Sequence, residues 1–193
     1  MKKSKFCWLL IIVLAMLPVS DIQAKSLGFR WENKYSTVYF YCGFNSTWKN
    51  AISAGMESWN EVKDISSKST IVPMKINNDS SNLNRICTSQ NEKEVARIYP
   101  KYTNGILDWV MVVFNTGDYS FTSSGTSGSF DIQSIATHEL GHAIGVAHCH
   151  EIGESCNSST CSSNVMNPTI KENTIRRTLT DYDKSSKRVN YLN

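Results

Sequence analysis

The chain has 193 residues, a formal charge of +3 and 19% charged residues. That balance gives no electrostatic case for nucleic acid or an anionic membrane as partner. The length is enough for one core and too short for two ordinary domains.

Met1 to Lys5 is a basic start, Phe6 to Leu17 is a continuous apolar run, Pro18 breaks it, and Ala24 is a small residue suited to cleavage. This is the layout of a secretory signal peptide over residues 1–24, with the working domain over 25–193. The apolar run is shorter than the roughly 20 residues a membrane helix needs. Loss of Lys2, Lys3, Lys5 and Asp21 takes the formal charge from +3 to +1. The expected product is a secreted monomer with no membrane contact, extracellular or periplasmic according to its host.

Thr37 to Tyr41 is rich in β-branched and aromatic residues and reads as a strand. Trp48, Ile52, Met56, Trp59 and Val62 recur every three or four residues and predict an amphipathic helix preceded by the capping residues Asn45, Ser46 and Thr47. Ile71 to Ile76 reads as a short strand, with Pro73 suggesting an edge position or a bulge. Residues 77–91 are polar and read as a loop. Glu94 to Tyr99 is a further strand, and Trp109 to Phe114, the most apolar run, a central one. Asn115-Thr116-Gly117-Asp118 offers oxygens for Ca2+, although turn chemistry explains the same residues equally well. Ser120 to Ser129 is small, polar and Gly-containing, a loop composition. Thr180 and Asp183 form a capping-box pair opening a terminal helix.

The stretch from His138 to His148 reads His-Glu-x-x-His-x-x-Gly-x-x-His. At this chain's own residue frequencies the string would arise by chance about a few times per million such chains, so coincidence explains it poorly. His138 and His142, four apart, share one face of a helix capped by Asp131 and supported by Ile132, Ile135 and Ala136. Leu140 and Ala143 fall away from that face. Gly145 can take a positive φ, end the helix and bring His148 back as a third ligand. Three imidazoles leave the fourth position of a tetrahedral Zn2+ open. Glu139 is then placed to act as general base on a water that the ion activates.

The string resembles the extended zinc motif of the metzincin endopeptidases at every defined position. Val165-Met166-Asn167-Pro168 resembles that family's Met-turn, and its Pro168 ending is similar to the matrixin branch. Phe130 to Thr137, Trp48 to Val62 and Leu179 to Asp183 are similar to the lead-in, first helix and last helix of that branch. The resemblance implies an α/β (α+β) metzincin domain, with a twisted mixed five-stranded sheet, about three helices and zinc in a cleft. It implies Met166 beneath the metal, a protein or peptide substrate, and a substrate-aligning edge strand near Ser120 to Ser129. Pro168 to Leu179 would border the pocket beyond the cut, with Arg176 and Arg177 as solvated surface residues.

Departures accompany the likeness. The span between His148 and Met166 is long and carries Cys149, Cys156 and Cys161. No cysteine follows Cys161, which argues against archaemetzincins, and no histidine precedes His138, so the matrixin structural zinc has no ligands. Tyr182 replaces an acid of the last helix. Cys42-Gly43 lacks the surroundings of a matrixin propeptide cysteine, so a disulfide is the better reading and a zymogen domain is not expected. Beyond residue 24 the cysteines number five: Cys42, Cys87, Cys149, Cys156 and Cys161. The preferred pairing is Cys42 with Cys87 plus one bridge among the last three, including Cys149. The reading is a secreted zinc endopeptidase, with a non-catalytic secreted zinc-binding or adhesion module as the alternative.

Overall fold

The computed structural model describes residues 25–125, 128–150 and 161–192. The signal-peptide reading of residues 1–24 lies outside them. Strand β1 (Val38–Cys42) begins a five-stranded mixed sheet with β2 (Met74–Asn77), β3 (Arg85–Ser89), β4 (Ala96–Thr103) and β5 (Ile106–Asn115). The spatial order is β2-β1-β3-β5-β4. Three pairings are parallel, and β4 closes one edge antiparallel to β5. Helix α1 (Ser46–Asn60) follows β1, and helix α2 (Ile132–Ala143) follows a two-residue strand pair, β6 (Phe121–Thr122) and β7 (Phe130–Asp131). Helix α3 (Asp181–Asn190) ends the described chain.

The mixed α/β architecture with a five-stranded sheet and three helices is the expected one. The amphipathic stripe of α1 turns Ile52, Met56 and Trp59 inward, and Asn45 caps it by accepting from the Trp48 amide at 3.0 Å. β2 is an edge strand, and β5, paired on both sides, is interior, both as read. Pro100 sits in β4, an edge where a missing N–H is tolerated.

The expected loop over 77–91 is a correction, because Arg85–Ser89 forms a strand interior to the sheet. Its sequence hides the role. Only Ile86 is fully buried, so the short run shows no apolar periodicity, and its neighbours β1 and β5 define it through parallel pairing.

The Cys42–Cys87 bridge is a second correction: both cysteines are free. Cys42 lies in register with Ile86, so the pleat sends those two side chains to one face and Cys87 to the other.

Helices α1 and α2 pack closely enough to require a glycine. A Cβ on Gly55 would meet the Thr137 hydroxyl at 2.9 Å and its backbone nitrogen at 3.2 Å. Trp59 donates its indole N–H to the Thr137 carbonyl at 2.7 Å, so a large core ring also fixes the helix that carries the histidines.

Candidate metal centre

α2 starts where the sequence places it. Asp131 accepts from the Ser134 amide at 2.9 Å and from the Ser134 hydroxyl at 2.7 Å. Its carboxylate also pairs with Arg177, whose Nε stands 2.9 Å away. Burial alone would raise the Asp131 carboxyl, but bonds from Arg177 and Ser134 outweigh it and hold the group below its ordinary value. The solvated Arg176 and Arg177 are therefore a correction. Arg177 neutralises a buried cap, and Arg176 donates to the Thr169 carbonyl at 2.7 Å. A buried carboxylate demands a counterion, and the arginine nearest in space supplies it.

The chain turns away from α2 at Gly145, which has φ +84° and where a Cβ would run into the Phe29 carbonyl oxygen. Beyond it His148 returns to face His138 and His142. The three Nε2 atoms stand 3.0, 3.1 and 3.2 Å apart. Nitrogens at 2.0–2.1 Å from a tetrahedral zinc would stand roughly 3.3 Å apart, so the triangle fits such an ion closely.

The ring orientations decide what the triangle can do. His138 Nδ1 lies 2.7 Å from the Val165 carbonyl oxygen, and His142 Nδ1 lies 2.8 Å from that of Val146. A carbonyl oxygen only accepts, so both Nδ1 atoms carry the proton and donate. The Nε2 lone pairs are left facing one another, an arrangement a shared cation stabilises. Burial pushes the His138 imidazole down to about 4 and His142 well below its ordinary value, which favours the neutral ligand form.

Glu139 is 5% exposed, and its Oε2 has no hydrogen-bond partner. Burial raises its carboxyl to about 8, with Glu94 adding to the rise and Arg97 opposing it. The histidines and Glu139 line a cleft of about 480 Å³, walled by Glu94 to Ile98 on one side and Asn167 to Ile170 on the other. The first wall leads into β4, the edge strand of the sheet. That corrects the expectation for Ser120 to Ser129. The described part of that segment contributes only the two-residue β6, which pairs with β7 away from the main sheet.

Met166 is fully buried under α2. A Cβ on Gly141 would stand 2.5 Å from its sulfur and 2.7 Å from Trp59 Cζ2. The turn that carries Met166 is held by a residue whose second role sequence reasoning missed. Asp183 forms the expected capping box with Thr180, and its two oxygens also accept from the Val165 amide at 3.0 Å and the Met166 amide at 3.1 Å. One carboxylate thereby fixes the carbonyl that orients His138. Only its spacing from Thr180 was visible in the sequence.

The Asn115 to Asp118 loop is closed on itself. Asn115 Oδ1 accepts from the amides of Gly117 and Asp118, and its Nδ2 donates to Asp118 Oδ2 at 3.0 Å. Among the described residues, the donors that converge as a metal site would are His138, His142 and His148, and separately Cys149, His150 and Cys161. No two described cysteines stand at disulfide distance. Cys149 is free, a further correction, whereas Cys161 is disulfide-bonded. Cys156 lies outside the described residues. The chain matches no protein-family model and no curated protein.

Proposed function

We propose that this chain is a secreted zinc endopeptidase of the metzincin type, matrixin-like, acting on extended peptide segments. One observation carries the reading. Three imidazoles converge through their Nε2 atoms, the tautomers of His138 and His142 being set by backbone carbonyls, beside a buried carboxylate with an unpartnered oxygen in the same cleft. The HExxHxxGxxH string and the Met166 turn give the family likeness.

His138, His142 and His148 would hold the ion. Zinc bound there would supply a Lewis acid that polarises a scissile carbonyl and acidifies a water. Glu139 takes the attacking water's proton at Oε2 and delivers it to the leaving amine. Its burial suits that task, because a carboxyl raised toward neutrality both accepts and returns a proton. β4 offers the unpaired side of an edge strand, so an extended peptide can dock through backbone hydrogen bonds.

The test is casein digestion by the purified chain, with its metal content measured in parallel. Zinc at one equivalent, digestion stopped by a chelator and restored by zinc, is the expected result. Zinc binding without any cleavage of casein or of a peptide library would leave a non-catalytic binding module instead.

A further inference from the structure

Immediately after the third histidine the chain carries a second convergence of donors, which hydrolysis does not use. Cys149 Sγ lies 2.8 Å from Cys161 Sγ, and His150 Nδ1 lies 3.1 Å from each sulfur. The 2.8 Å separation is too long for an S–S bond of about 2.05 Å. The backbones of both cysteines are tied to one short turn. The Cys149 amide donates to the Met166 carbonyl at 2.9 Å, and the Cys161 carbonyl accepts from the Asn164 amide and the Asn167 side chain, each at 3.1 Å. Two separate hydrogen-bonded anchors on that turn thus hold together donors twelve residues apart.

We propose that Cys149, His150 and Cys161 form a second metal site, for a thiophilic divalent ion such as Zn2+, which becomes available when the disulfide at Cys161 is reduced. Two thiolates and an imidazole select zinc over calcium or magnesium, which prefer oxygen ligands. A dithiol reductant supplies the two electrons and two protons that open the disulfide, and its own sulfurs close into a new one. The thiols of Cys149 and Cys161 then give up their protons as the ion binds. Thiolates on a tetrahedral zinc stand roughly 3.8 Å apart, from bonds of about 2.3 Å, so binding widens the sulfur pair by about 1 Å. Water or a further side chain completes the coordination.

The experiment compares full-length protein in oxidised form and after treatment with a phosphine reductant. Each form is loaded with Zn2+ for native mass spectrometry and with Co2+ for absorption spectroscopy. The reduced chain should take two equivalents and the oxidised chain one. The second Co2+ should bring a thiolate-to-cobalt charge-transfer band, which the all-imidazole centre cannot give. Cys149→Ser should abolish that band, and His150→Ala should remove the second equivalent while keeping the first. A reduced chain that binds one equivalent without the band, or that loses its circular dichroism on reduction, overturns the proposal. If instead the histidine centre is the one that fails, the reduced chain binds a single ion with the band and the oxidised chain binds none.

Discussion

Helices α2 and α3 solve opposite problems. α2 buries ten of its twelve residues and carries two candidate metal ligands and the candidate base. α3 is polar and buries only Asp183, Ser186 and Lys187, none of them apolar. Yet α3 and the residue after it fasten the other helix. Asp183 holds the backbone that orients His138. Asn190 Nδ2 and the Tyr191 hydroxyl both donate to the Ile144 carbonyl at the end of α2, at 3.0 and 3.1 Å. Lys187 reaches the Trp59 carbonyl at 2.7 Å. The chemistry sits on one element and the precision on another, through buried hydrogen bonds rather than apolar contact.

Removing Asp183 breaks this division most severely. Asp183→Ala leaves the Val165, Met166 and Thr180 amides without their acceptor, at roughly 1–3 kcal/mol for each orphaned N–H. Urea unfolding should show the loss, and zinc affinity in the surviving folded protein should fall by roughly 10–100-fold as His138 loses its orientation. A variant as stable as the parent would show that the fastening is not energetic.

Glu139→Ala tests the other helix. Hydrolysis should fall by about 10²–10⁴-fold while zinc stays bound and unfolding is little changed. Unchanged turnover would remove Glu139 from the mechanism. Gly145→Ala strikes where the two helices meet, since a methyl there collides with the Phe29 carbonyl and the Asn190 amide in a left-handed backbone. Its cost should be roughly 2–4 kcal/mol in thermal or urea unfolding.

Two pH effects are smaller. Burial lowers Lys187 to about 7 from 10.5, with Lys63 adding to the shift. The unfolded chain therefore holds the extra proton between about pH 7 and 10.5, and Lys187 contributes a rise in stability with pH across that window. Lys187→Met should flatten that part of the stability curve. His138, lowered to about 4, remains a neutral ligand below the ordinary histidine range. Zinc should accordingly be retained somewhat below pH 6.5 and be lost on further acidification as protons displace it from the imidazoles, which metal content after dialysis across a pH series would show.

How much was legible follows from how local each cause is. The helix of the zinc motif, its Asp131 cap, its Gly145 end and the stripe of α1 all rest on spacing along one segment, and each could be read from the residues. β3 could not, because a five-residue strand with one buried apolar side chain takes its identity from neighbours far away in sequence. The Cys42–Cys87 pairing failed for a related reason: only the register of β1 against β3 tells which face each sulfur occupies. Arg177 looked like a surface cation until the fold set it against Asp131, 46 residues away.

The sequence by itself therefore determined the donor set, the carboxylate beside it, the helix that spaces two of the three imidazoles and the broad α/β class, because helical periodicity and capping act within a few residues. Tertiary structure alone decided which edge strand borders the cleft, which carbonyls set the imidazole tautomers, and that Asp183 governs the turn below His138. Those outcomes depend on hydrogen bonds between segments far apart in the chain. Such bonds form only where folding removes water and obliges every buried polar group to find a partner.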